Sequence, residues 1–284
     1  MKKIILLIFA AAISYSFMLM DGKDGIIFKA VLLPNSVYNI TFDSDVTSDV
    51  DFKGSPEVID QMKNRGVKIP IAMLMKISMN GRITTGDMKI DSTFPFETEI
   101  IANKTTGTIN GEAMPLPDKF PLKNLKVSGI YTKDNLMTNL EVQGDSLSEE
   151  IKNLMIKTTE DLMKNIKFPE KPLSIGDSFQ QEIPMQMPIL QGMIIDMKTI
   201  ITYTLEKVES EKAYFNTVTA IELNSNNDKY KITATGGGNG FVIHDLKRNY
   251  ISSSDTDLSI SCTVDMGQFQ VISTTKSKSV MKID

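Results

Sequence analysis

The chain has 284 residues, 41% hydrophobic and 23% charged, with a formal net charge of −4. That is enough apolar material for one large or two modest cores, and too much for a disordered chain. No Lys/Arg-rich run exists to neutralise a phosphate backbone, which excludes nucleic acid as a partner class. The single Cys262 excludes an internal disulfide framework and a Cys-rich metal cluster.

The N-terminus reads as an export signal. Lys2 and Lys3 precede an unbroken apolar stretch, Ile4 to Ile13, and Ser14 and Ser16 place small residues at −3 and −1 of a cleavage after Ser16. The expected signal peptide is therefore 1–16, with an uncleaved anchor over 1–20 as the alternative. Ile4 to Met20 lies at the short limit of what spans a bilayer. No cysteine follows to carry a lipid. The expected location is the periplasm or the cell surface, tethered to the inner membrane if the signal stays.

After the leader, period-2 alternation dominates. Leu258, Ile260, Cys262, Val264 and Met266 alternate with polar residues, as do Ile71, Met73, Met75, Ile77 and Met79. Each pattern predicts a strand with one buried and one wet face. Asn80-Gly81 predicts a hairpin turn after the second. Further strands are expected near 38–46, 94–102, 125–132, 136–142, 179–187, 197–208, 213–223, 230–235, 240–251 and 269–283. Strands of this length suit a strongly curved, barrel-like sheet.

Two helices interrupt the strands. Ser55, Pro56 and Gly66 bracket a short one near 56–65. A capping box at Ser146-Leu147-Ser148-Glu149 opens a longer one over 147–166, whose stripe of Ile151, Met155, Thr158, Leu162 and Ile166 needs an apolar partner. The fold class is α+β, mostly antiparallel β: one or two curved half-barrel sheets, with the long and the short helix packed on the concave side. The Pro- and Lys-bearing segment 167–172 divides a β-rich half at 25–166 from another at 167–284. Glycine-bearing segments at 107–111 and 236–240 suggest that the halves are duplicated.

Pro172-Leu173-Ser174-Ile175-Gly176-Asp177-Ser178-Phe179 is similar to a P-x-x-x-G-D-[ST]-[WF] segment in uncharacterised families of exported bacterial proteins. Those families resemble duplicated relatives of the periplasmic lipoprotein-carrier (LolA/LolB-like) superfamily. The resemblance implies a curved antiparallel sheet closed by helices over an apolar cavity, with no defined ligand.

Catalytic residues are not expected. His244 and Asp245 are adjacent on a strand, so they point to opposite faces and form no dyad, and no nucleophile elbow exists. Gly236–Gly240 lacks the helix and the Lys-Ser/Thr of a phosphate loop and reads as a wide hairpin turn. In the acidic run from Asp43 to Asp51, Asp43, Asp45 and Thr47 fit the first three ligand positions of a calcium loop, but Ser48 and Gly54 occupy its glycine and glutamate positions, which leaves a solvated strand edge or turn. No cofactor or metal is expected. The Met-rich segment 183–197, broken by Pro184, Pro188 and Gly192, is expected to be partly loop, either plugging the core or lining an apolar pocket. The candidate lining is Met185, Met187, Met193 and Met197, with Ile151, Met155 and Leu162 from the long helix. The expected function is non-enzymatic: binding a lipid or other hydrophobic ligand, or an envelope structural or protein-interaction role with a filled core. Membrane association would be peripheral at most.

Overall fold

The computed structural model describes residues 21–22, 25–28, 32–114, 125–133, 136–144, 147–149, 152–153, 155–157, 159–160, 169, 171–190, 193–223 and 231–284, with backbone alone at 21–22, 184–190 and 193–196. The expected leader, Ile151 and Leu162 lie outside the described residues.

Alternation of large apolar and small polar residues produces strands of unusual length. A two-stranded ribbon, β1 (Asp21–Gly22) and β2 (Gly25–Ile26), precedes the main sheet. That sheet is built from β3 (Val37–Gly54), β4 (Ile71–Thr85), β5 (Phe94–Ile109), β6 (Glu112–Ala113), β7 (Lys126–Tyr131), β8 (Met137–Gln143), β9 (Ser178–Leu190), β10 (Met193–Glu209), β11 (Lys212–Leu223), β12 (Lys231–Asp245), β13 (Tyr250–Asp265) and β14 (Phe269–Ile283). All pairings are antiparallel, in the order β8-β7-β5-β4-β3-β14-β13-β12-β11-β10-β9, with β6 on β5. The first half of the chain meanders from the centre to one edge, and the second returns from the other edge to the centre. Both halves share one open, curved sheet, joined where β3 pairs with β14 from Gly54↔Phe269 to Ile40↔Ile283.

The sheet curls because its flanks share one interior. Val127 and Tyr131 near one edge and Tyr203 and Phe215 near the other belong to the same buried cluster as central Ile40 and Ile283. Phe28 closes it, fully buried, its ring edge-on to Phe215 at 5.0 Å and to His244 at 5.6 Å. A second, smaller cluster at the opposite strand ends joins Met197, Ile221, Ile232, Cys262, Val264 and Val271. Between the two clusters the inner face carries small residues: Ser44 meets Ser279 at 2.9 Å and Ser48 meets Thr275 at 2.9 Å.

The described residues between 149 and 160 are helical, with Met155 and Thr159 buried and Met155 in the main cluster. The described residues of the amphipathic segment, with Met155, Leu147 and Ile156, therefore pack against the sheet's core. The short helix, Pro56–Asn64, bridges β3 and β4 and contributes no buried residue.

Three local signals are overridden by strand pairing. Asn80-Gly81 makes no hairpin: β4 runs straight through it, and β5 accommodates it with a bulge that skips the exposed Ile101. The observed tight turns are at Asn110-Gly111, with φ of 52° and 83°, and at Ser210-Glu211, with φ of 51° and 61°. Gly236–Gly240 is not a turn either. It lies inside β12, in register with β11 and β13. A Cβ on Gly238 would collide with the Asp257 carbonyl, so the glycines let neighbouring backbones approach where the sheet bends. The two glycine segments consequently hold different places, since 107–109 end β5 and 110–111 form the turn to β6. Finally, 183–190 and 193–197 are strand, not a plug loop. The prolines are tolerated because β9 is an edge strand, where one alternate set of N–H groups has no ladder partner to lose.

Gly238→Ala should destabilise the protein by about 3 kcal/mol in urea unfolding, the upper range for overpacking. Met155→Ala should cost ~2–5 kcal/mol if the helix is a packed lid. A loss under about 1 kcal/mol for either would mean that the site relaxes freely.

Candidate binding surface

One face of every strand points inward, and β4 shows how far that face is covered. Ile77, Met79 and Ile83 are buried, while Ile71, Met73 and Met75, in the same phase, are only half-buried. The β3 residues in register with them include Val46 opposite Met75 and Val50 opposite Ile71, also half-buried. The β5 residues are Gly107 opposite Met75 and Ile109 opposite Met73. A Cβ on Gly107 would come within 3.3 Å of the Met114 methyl, so the missing side chain seats Met114 against this strip. The apolar inner stripe thus continues beyond the fully buried zone and forms a partly open strip of Ile, Met and Val.

Of the candidate residues named from sequence, the side chains of Met155 and Met197 are described, and neither lies on this strip. Met155 and Met197 are both buried, but in different clusters: Met155 under the lid, Met197 against Ile221, Ile232 and Cys262. As a pair they line no common cavity. The side chains of Met185, Met187 and Met193, like Ile151 and Leu162, lie outside the described residues, although the backbone places Met185 opposite Met197 and Met187 opposite Ile195. The strip of Met73 and Met75 was visible in sequence as an alternating strand. Its partial cover was not, because cover depends on where lid and sheet meet.

The outer face explains the acidic run. β3 is central, not an edge, and its aspartates all project to one side. Register places Asp257, Lys278, Asp45 and Lys76 in a row across β13, β14, β3 and β4, with Lys278–Asp257 at 3.3 Å and Lys76–Asp45 at 3.7 Å. Opposite charges directly across strands stabilise a sheet, and this row gives Asp45 of the acidic run a cationic neighbour on each side. A cavity of about 370 Å³ opens on the same face, lined by Asp43, Asp45, Lys76, Lys104 and Lys278 among others. Its lining combines these charged groups with Ile77, Val280 and the small polar Ser44, Ser78 and Thr106. Among the described residues no three His, Cys, Asp or Glu side chains gather in a metal-binding group.

His244 is fully buried beside Phe28, and burial pushes its pKa down to about 3. Asp245 instead caps the following turn, accepting from the backbone N–H of Lys247 at 3.1 Å and of Arg248 at 2.9 Å. The two side chains serve separate structural roles, as their adjacency on a strand predicts. Cys262 is buried in the second cluster, and burial raises its thiol pKa, which leaves it an unreactive thiol.

No protein-family model and no curated protein matches the chain. Among solved structures, the chain is weakly similar to Pseudomonas aeruginosa OccK7 (OpdD), at 7% identity and a TM-score of 0.17, over 87% of this chain and 100% of that one. A second likeness is to the enduracididine biosynthesis enzyme MppR, at 8% identity and a TM-score of 0.08, over 88% and 89%. At these scores neither carries an argument about fold, function or the carrier resemblance.

Folded His244 stays neutral down to about pH 3, whereas the unfolded imidazole takes a proton near 6.5. Its contribution to stability is therefore complete above pH 6.5 and is lost as pH falls toward 3, by no more than ~1.4 kcal/mol per pH unit. Denaturant titrations between pH 7 and 4 should show a shallower decline for His244→Leu than for the natural chain. Equal slopes would contradict a buried neutral imidazole.

Proposed function

We propose that this chain is a non-enzymatic exported protein that holds a lipid acyl chain or similar hydrophobic ligand on the inner face of its sheet. The observation that carries this reading is the β4 stripe, whose inward residues pass from fully buried at Ile77 and Met79 to half-buried at Ile71, Met73 and Met75. Methionine suits such a surface, because its flexible thioether adapts to ligands of varied shape. The absence of catalysis in this reading is supported by the buried polar set. Among the described residues it comprises hydroxyls, Gln181 and His244. Export rests on the Lys2-Lys3 and Ile4–Ile13 leader.

A second reading, an envelope interaction protein with a filled interior, is favoured by the tight packing of Met155 and Met197.

Thermal unfolding of delipidated protein separates the two. A ligand at 100 times its Kd stabilises by about 2.7 kcal/mol, which should raise Tm by ~5 °C with long-chain fatty acids or lysophospholipids. Replacing Met73 and Met75 together by Asp should abolish the shift. No shift with any lipid class, and no lipid co-purifying by mass spectrometry, would favour the filled-core reading.

A further inference from the structure

The two ends of the sheet differ in what they expose. One end, the rim, is where β3 begins, β4 ends and β9 begins. Val37, Met88, Ile90, Leu136, Ile175 and Val208 are all exposed there, each at or beside a strand terminus. Among the described residues they make up more than half of the exposed large apolar side chains, while the described turns at the opposite end carry none. Ile90, at the tip of the β4–β5 loop, is 107% exposed, so it touches almost nothing of its own protein.

The loops that carry these tips are held in place. Asn35 donates to the Gly86 carbonyl at 3.1 Å, Gly86 donates to the Pro95 carbonyl at 2.9 Å, and Thr132 donates to the Leu136 carbonyl at 2.9 Å. Asp91 is turned back on its own loop, accepting from the Thr93 hydroxyl at 2.7 Å and the Thr93 N–H at 3.1 Å. Lys89 stands between Met88 and Ile90, where a long cationic side chain can reach lipid phosphates while its neighbours enter the acyl layer.

A second observation bears on the occupant. Asp21 pairs with Ile26, and Ile26 bridges Leu173, two residues before Ile175. The point where the apolar leader joins the described chain therefore lies at this same rim. The tips stand on separate loops, and a deformable bilayer can meet them together.

We propose that the rim is a membrane-contacting face, with Met88 and Ile90 entering the interface of the bilayer. This is independent of ligand binding on the inner strip. The test uses the full chain with an environment-sensitive dye on Ile90→Cys, or on Gln268→Cys in the exposed turn at the opposite end. The natural chain, whose Cys262 is buried, serves as the unlabelled control. With vesicles of phosphatidylethanolamine and phosphatidylglycerol (3:1), the dye at position 90 should shift to the blue and lose most of its emission to bilayer-borne quenchers, while position 268 stays unchanged. Equal quenching at both positions, or at neither, would overturn the proposal. So would a blue shift at position 90 that grows with protein concentration in the absence of lipid, since the occupant would then be a second copy of the chain.

Discussion

The pairing of β3 with β14 is the constraint on which the rest depends. These are the first and last long strands, and their fifteen-pair ladder turns two separate meanders into one sheet. It is also the most non-local pairing available to the chain, so its loop-closure entropy is offset only when both halves are formed. Direct hydroxyl contacts at Ser44–Ser279 and Ser48–Thr275 reinforce the seam from within. With the seam in place, curling the sheet brings both flanks onto one core, and the helix after Ser146 covers what remains.

The waist of the sheet follows from the same logic. Large side chains fill a curled sheet at its two ends, and between the clusters much of the inner face is small. Glycines of β12 and the serines and threonines of β3, β13 and β14 occupy that zone. The inner surface is thus divided: a fully buried core near the rim, a narrow waist, and a second apolar region that merges into the half-covered strip of β4. A binding role would live in that last region, and a membrane-facing role at the opposite end. Their separation leaves each free to be altered alone.

Much of the sheet was legible because period-2 alternation reports directly on a surface with one wet side. Phe269–Ile283 emerges with the same bounds in sequence and structure, and Leu258 to Val264 falls wholly within β13. What misled were the punctuating residues. Asn80-Gly81, Gly236–Gly240 and Pro184/Pro188 carry turn or loop signals locally, yet each lies within a strand whose neighbours decide the outcome. Sequence gives no means of telling a central strand from an edge one, which is also why the β3 aspartates read as a solvated edge. The inward methionines were legible as apolar positions. Which of them would be packed, like Met155 and Met197, and which half-open, like Met73 and Met75, depends on the reach of the lid.

Amide hydrogen exchange on the native protein tests the single-sheet account most directly. The account predicts that amides of Val37–Gly54 and Phe269–Ile283 exchange together in the slowest class, opening only with global unfolding. If the strands on one side of the seam instead opened as a unit while those on the other stayed protected, the seam would not be what holds the molecule together.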